Sequence, residues 1–213
     1  MKWWYLLLII LAACQNNQTG STANGTTEEQ TIKKQDTAYK SNELVRNEDQ
    51  LIVPGERIGK VKLGENVSTL EVLGTPDQSD AAMGKAWLTW KGKRDEHNNA
   101  TQLDVYTSYK DNSMREKTVQ QVRTTSSQFI TADNNHVYSS LEAIEKEFPE
   151  IKKAASYNED GRDIFIYDAV EKGIAFEIVR ANDQQVCTGI IVHEKNKDVT
   201  QVYTMLHPGM KRL

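Results

Sequence analysis

The stretch IGKVKLGENVSTLEVLGTP, residues 58–76, decides the predicted fold. Its first residues alternate apolar and polar side chains, which favours a short strand. Asn66 or Ser68 can cap a helix after that strand, while Gly74 and Pro76 end the helix after barely two turns. We therefore predict a short helical element that packs on the strands that follow it.

The second half of the chain repeats this order of elements. Strand candidates at residues 86–90, 103–109 and 119–125 follow the first helix. A second helix is predicted before Pro149, with Leu141, Ile144 and Phe148 on one face. It is followed by strand candidates at residues 164–167, 173–179 and 186–193.

These patterns predict an α+β protein that is a tandem repeat of a short helical element packed on an antiparallel sheet. The first module is expected at residues 49–130 and the second at residues 131–213. A single sheet that runs through both halves without a repeat is the alternative. Residues 199–206 fit either an added strand or a helix.

The N-terminus carries a targeting signal. Lys2 precedes an apolar run at residues 3–11, which is too short to span a membrane and is typical of a signal peptide, expected at residues 1–13. The sequence Leu11-Ala12-Ala13-Cys14 resembles the lipobox of bacterial lipoproteins, in which the cysteine is acylated, for example with palmitate, and becomes the new N-terminus. A secretory peptide that merely ends in cysteine is the alternative.

A polar segment follows Cys14. Residues 14–48 are rich in Gln, Asn, Thr, Ser, Gly, Glu and Lys, a composition that favours a disordered tether. Gln15 is not acidic, and by analogy with lipoprotein sorting signals this favours the outer membrane. We therefore expect a lipid-anchored protein of the bacterial cell envelope that faces the periplasm.

Composition and charge narrow the classes of function. A hydrophobic fraction of 38% is enough for a globular core, and the formal net charge of −4 comes with no basic stripe for a phosphate backbone. Nucleic acid is therefore not an expected partner. Of the two cysteines, Cys187 is left without a partner if Cys14 carries lipid, so no disulfide is expected.

No constellation of residues points to catalysis, and we predict no catalytic residue, metal site or cofactor. Cys187 and His193 lie on one predicted strand, but about 20 Å of strand would separate them, so Cys187 is best explained as a small buried hydrophobe. The other three histidines are isolated from one another in the sequence. Adjacent acidic pairs such as Asp95 and Glu96 are typical of solvated surface.

Aromatic residues suggest a binding surface instead. Trp87 and Trp90 should lie on opposite faces of one strand, so that one fills the core and the other points outward. Aromatic residues are frequent at protein interfaces. The predicted partner-binding residues are Trp87, Trp90, Tyr106, Tyr109, Met83 and Lys85. Alternatively, the aromatics simply cover the sheet.

The opening of the folded part, residues 58–76 followed by Trp87 and Trp90, resembles domains of the superfamily that contains β-lactamase inhibitory protein and the outer-membrane assembly lipoproteins of the SmpA, OmlA or BamE type. The inhibitory protein is a tandem duplication, and the resemblance therefore implies two similar modules. Its disulfides have no counterpart here, because Cys187 stands alone.

Three functions follow as expectations. The first is a non-catalytic lipoprotein that binds or scaffolds an envelope protein. The second is an inhibitor of a periplasmic or secreted enzyme, which would act through the loop at residues 91–101. The third is an enzyme with an unrecognised site.

Overall fold

Twelve strands carry most of the regular structure in the part of the chain that the computed structural model describes, namely residues 47–181, 183–202, 207 and 209–213. The predicted signal peptide, Cys14 and residues 15–46 of the tether lie outside these residues. The strands are β1 (Ile52–Val53), β2 (Arg57–Ile58), β3 (Val61–Lys62), β4 (Gln78–Ala82), β5 (Lys85–Lys91), β6 (Gln102–Tyr109), β7 (Lys117–Thr124), β8 (Lys152–Glu159), β9 (Arg162–Ala169), β10 (Ile174–Ala181), β11 (Gln184–His193) and β12 (Lys211–Arg212).

Nine of these strands form one antiparallel sheet in the order β12-β8-β9-β10-β11-β7-β6-β5-β4. The sheet consists of two meanders, β4 to β7 and β8 to β11, which meet because their last strands pair directly. The pairing of Ile190 with Thr124 and of His193 with Gln121 marks this seam. Strands β1, β2 and β3 form a separate three-stranded sheet.

Short helices cover one face of the large sheet. A 3₁₀ helix spans Val67–Leu73, where the Asn66 side chain accepts a hydrogen bond from the amide of Ser68 and Gly74 ends the helix at φ 75°. Helix α1 spans Leu141–Glu147 and is capped by Ser140. A further 3₁₀ turn lies at Glu48–Gln50.

The face beneath these helices, called here the helix face, carries the larger apolar core. Leu70 of the 3₁₀ helix and Ile144 of α1 pack with sheet residues such as Val122, Phe176 and Ile190. A smaller cluster on the opposite face joins β8, β9, β10 and β11 to Val199 near the C-terminus. Strand β10 is therefore buried on both faces for most of its length.

The six strand candidates and the second helix are confirmed, with ends that differ by a few residues. Strands β4, β8 and β12 were not predicted from the sequence. All five residues of β4 are exposed, and β8 begins and ends in exposed polar residues, so neither has the alternation that indicates a half-buried strand. In the open stretch at residues 199–206, the described residues 200–202 are helical.

The predicted fold class is wrong. The structure is mostly antiparallel sheet, with 46% strand and 12% helix, and is not an α+β fold built from tandem helical repeats. The prediction gave the helices too much weight, because Gly74 and Pro149 end them after seven residues each. Most of the core area is supplied by strands that pair across one continuous sheet.

A buried ionic network holds the seam between the two meanders. The guanidinium of Arg123 on β7 donates to both carboxylate oxygens of Glu177 on β10, at 2.6 and 2.8 Å, and to Asp104 Oδ2 on β6, at 2.7 Å. Asp104 also accepts from Thr89 Oγ1 at 2.6 Å and from Gln102 Nε2 at 2.8 Å. The network therefore links strands β5, β6, β7 and β10.

Glu177 reaches Arg123 only because Gly189 lies between them. Gly189 on β11 pairs with Glu177 in the sheet, and a Cβ atom at Gly189 would lie 2.3 Å from Glu177 Oε2. Only glycine at this position leaves room for the Glu177 carboxylate to cross β11. The missing side chain is thus what permits an ion pair between two strands that are not neighbours.

Replacing Arg123 by methionine should destabilise the protein by about 3–5 kcal/mol, because it leaves two buried carboxylates without their cation. Urea unfolding followed by circular dichroism measures this loss. Arg180→Met, at an exposed position on strand β10, is the matched control and should change stability by less than about 0.5 kcal/mol. A loss below about 1 kcal/mol in Arg123→Met would show that the network does not hold the seam.

Candidate functional site

The residues predicted to bind a partner do not form one surface. Trp87 on β5 and Tyr106 on β6 are cross-strand neighbours on the face opposite the helices, with ring centroids 5.3 Å apart. Each is only 5% exposed. These two side chains therefore belong to the interior and offer no contact area to a partner in this structure.

Trp90 lies on the helix face, where it packs against the edge of the larger core. The indole N–H donates to the carbonyl of Gly74 at 3.0 Å. The two tryptophans are thus on opposite faces, but Trp90 is half-buried rather than fully outward. Its ring is held in place and lines a cleft beside the loop at residues 91–101.

The remaining predicted residues, Met83, Lys85 and Tyr109, meet at one end of the sheet. Met83 and Gly84 form the two-residue turn between β4 and β5, and the ring of Tyr109 lies against Gly84. The next hairpin, β6 to β7, turns at the same end and carries Met114. We call Met83, Lys85, Tyr109 and Met114 the tip surface.

Both methionines of the tip surface are unusual in two ways, because each is exposed to solvent and each has a left-handed backbone conformation. Met83 is 96% exposed and Met114 is 66% exposed. Their φ angles are 47° and 53°, in the left-handed region where glycine and asparagine are favoured. Neither burial nor backbone preference therefore explains why methionine occupies these positions.

A cleft of about 510 Å³ lies at the opposite end of the first meander, beside the loop at residues 91–101. We call it the loop cleft. Its floor is apolar and its rim is basic, with Ser, Gln and acidic side chains between them. The lining residues used below are Trp90, Leu103 and Phe129 on the floor, Lys91, Lys93 and Arg94 on the rim, and Gln102, Ser126, Ser127 and Gln128 on the wall.

The loop beside this cleft is tied to the second half of the chain. The hydroxyl of Tyr138 donates to Asp95 Oδ2, and Asn99 Nδ2 donates to the same hydroxyl at 2.8 Å. Asp95 Oδ1 also accepts from the amides of His97 and Asn99, at 2.9 and 2.8 Å. Tyr138 has φ 85°, a strained angle for a bulky residue, which these contacts maintain.

This contact shifts the titration of both partners. The hydrogen bond from Tyr138 is the main cause that lowers the pKa of Asp95, and the backbone amides of Asn99 and His97 add to it. Burial, followed by the bond to Asp95, raises the pKa of Tyr138. The pair therefore consists of a carboxylate and a neutral phenol at neutral pH, which suits a structural tie and gives no general base.

A second cleft, of about 400 Å³, lies on the other side of the Asp95–Tyr138 contact. Arg123 and Glu177 lie at its base, and Glu159 and Arg162 line it farther out. Arg123 already donates to two carboxylates, so its N–H groups are committed to the network. The charged groups at the base are paired with one another and offer little to a ligand.

Cys187 and His193 lie on opposite faces of β11, although their even spacing would place them on one face of a regular strand. The pairing of β10 with β11 shifts by one residue between Glu177 and Ile178, which leaves Thr188 as an extra residue on β11 and inverts the alternation. Cys187 packs in the helix-face core, where burial raises the pKa of its thiol. His193 instead contacts Asp168 Oδ1 at 3.0 Å on the other face.

Metal ligands are not clustered in the described part of the chain, where no group of three or more His, Cys, Asp or Glu side chains could hold an ion. Among these residues there is also no helix of the length and hydropathy needed to cross a membrane.

His207 lies over the seam network and stacks on Tyr157, with ring centroids 3.9 Å apart. Burial lowers the pKa of His207 to about 4, and the nearby carboxylate of Glu177 opposes this shift. The native imidazole is therefore neutral over a pH range in which the unfolded chain, with a histidine pKa near 6.5, binds a proton. The contribution of neutral His207 to the free energy of unfolding is fully present above about pH 6.5 and is lost as the pH falls toward 4.

His207→Phe keeps a ring on Tyr157 and removes this titration, so its stability should fall less than that of the wild type between pH 7 and pH 5. Urea midpoints at the two pH values measure the difference. Val72→Phe, which adds a ring at an exposed position without a titratable group, is the control and should keep the wild-type slope. Equal slopes for His207→Phe and the wild type would contradict the assignment.

Comparisons with known proteins do not identify a family. No protein-family model matches the chain, and no curated protein matches it significantly. A solved structure of a DUF4309 family protein, YjgB from Bacillus subtilis subsp. subtilis str. 168, is similar with a TM-score of 0.37 and 12% identity, over 66% of this chain and 88% of that one. A likeness at this level assigns neither a family nor a function, and the resemblance to β-lactamase inhibitory protein gains no support from it.

Proposed function

We propose that the protein is a non-catalytic binding module of the bacterial cell envelope, anchored by lipid on Cys14, and that it binds an envelope protein through the tip surface. The observation that carries this proposal is the pair of exposed methionines in left-handed turns. Methionine is adaptable and is frequent on surfaces that bind protein partners.

For stability alone, these two turn positions favour glycine or asparagine over methionine. A residue other than glycine in the left-handed region costs about 1–2 kcal/mol, less for asparagine. Met83 and Gly84 both have positive φ, as in the type I′ turn that favours Asn-Gly. A residue kept against its local preference is a candidate for a functional role.

The buried ionisable groups support a non-catalytic role. Arg123, Asp104 and Glu177 are committed to one another, and the pKa of the Cys187 thiol is raised by burial, so the thiol is a poor nucleophile. The tip surface, in contrast, has exposed apolar atoms flanked by Lys85.

Met83→Asn should stabilise the protein by about 0.5–1 kcal/mol and weaken capture of the partner at the same time, because it improves the turn and removes the contact. The test joins urea unfolding with photo-crosslinking in intact envelopes, with the crosslinking residue at position 112 in the neighbouring β6–β7 turn. Val72→Asn removes another exposed apolar side chain, which is 65% exposed on the 3₁₀ helix, and it should leave capture unchanged. Equal capture by Met83→Asn and the wild type would contradict the proposed surface.

The anchor is tested separately. Cys14→Ser should abolish incorporation of labelled palmitate and move the protein from the membrane fraction to the soluble fraction, while Cys187→Ser should leave both unchanged. Mass spectrometry of the wild type should find an acylated Cys14 at the mature N-terminus. A mature chain that begins at another residue, or carries no acyl group, would contradict the lipid anchor.

A further inference from the structure

We propose that the loop cleft binds a small carboxylated sugar, at a site separate from the tip surface and independent of it. The two sites lie at opposite ends of the first meander, because the turn between β4 and β5 and the loop between β5 and β6 are at opposite ends of β5.

The floor of the cleft offers a fixed aromatic platform. Trp90 and Phe129 are half-buried and pack against the helix-face core, and Leu103 lines the cleft with them. The bond from the Trp90 indole to Gly74 holds the ring in one orientation. A fixed aromatic ring suits the apolar C–H face of a pyranose, which stacks on it with little loss of side-chain freedom.

The wall of the cleft supplies hydrogen-bonding groups for hydroxyls. The side chains of Ser127 and Gln128 make no hydrogen bond to other described residues, and Gln128 is exposed. A hydroxyl group both donates and accepts, as do the serine hydroxyl and the glutamine amide. Such a wall matches the surface of a sugar better than that of a purely apolar ligand.

The rim supplies the charge that selects a carboxylate. Lys91, Lys93 and Arg94 are exposed, and none of them forms an ion pair within the described part of the chain.

The two acids of the same loop also line the cleft, but neither forms an ion pair with these cations, and the three cations outnumber the two carboxylates. Asp95 is bound by Tyr138 and two amides, and Glu96 lies 3.7 Å from His97. Arg94 Nη1 donates to the carbonyl of Asn98 at 2.5 Å, which leaves its other N–H groups and both lysines available to an anionic ligand.

Size favours a small ligand over a protein face. A volume of about 510 Å³ lies in the range of about 300–1,000 Å³ that is typical of small-molecule sites. The Asp95–Tyr138 contact fixes the loop before a ligand arrives, so less ordering is required on binding. One or two sugar rings with a carboxylate satisfy the floor, the wall and the rim together.

The test is a titration of the full folded chain with digalacturonic acid, followed by ¹H–¹⁵N NMR with the Trp90 indole signal assigned through Trp90→Phe. We expect saturable shifts of this signal and of the amides at residues 91–103. Cellobiose, a neutral disaccharide, should bind at least tenfold more weakly. The acidic peptide triglutamate should also bind at least tenfold more weakly, because it lacks a ring for the aromatic floor.

Variants locate the site. Lys93→Gln combined with Arg94→Gln should weaken binding of digalacturonic acid at least tenfold, and Phe129→Leu should weaken it without unfolding the protein. Lys152→Gln, at an exposed lysine of β8, should have no effect.

Four results would overturn the proposal. They are the absence of saturable shifts, equal affinity for cellobiose, tighter binding of triglutamate, and unchanged binding in the Lys93→Gln, Arg94→Gln variant.

Discussion

The ion network around Arg123 is the constraint on which the described fold depends. A sheet made of two meanders has a weak point where their last strands meet, and here β7 and β11 share only a short register at residues 121–124 of β7. Arg123 reinforces that point by joining Asp104 in the first meander to Glu177 in the second. Since a buried charge without its partner is strongly destabilising, the network also disfavours any register that separates these groups.

Much of the sheet could be predicted from the sequence, but its class could not. The pattern of apolar and β-branched residues between polar loops located strands such as β5 and β6. It missed β4, where the sequence Gln-Ser-Asp-Ala-Ala has no apolar side and strand structure comes from pairing with β5. The error in fold class arose because two short helices were given the same weight as six strands, although they cover only part of one face.

The candidate sites were less predictable, for reasons that particular residues show. The spacing of Trp87 and Trp90 gives opposite faces, but it does not tell which faces are covered, and Trp87 lies in the interior. Glu177 within the apolar run Ile-Ala-Phe-Glu-Ile-Val is a signal for a buried ion pair, yet its partner Arg123 is 54 residues away. The extra residue Thr188 also breaks the alternation along β11, so that the even spacing of Cys187 and His193 does not place them on one face.

The tie between Asp95 and Tyr138 has a consequence for the order of folding. The two residues are 43 positions apart, and Tyr138 lies beyond the last strand of the first meander. When the chain folds progressively from its N-terminus, β4 to β7 can pair before the tyrosine is in place, and the loop at residues 91–101 is then still free to move. The loop cleft is thus completed late, because Tyr138 lies outside the first meander. A truncated or half-folded chain would have strands β4 to β7 but not the finished cavity.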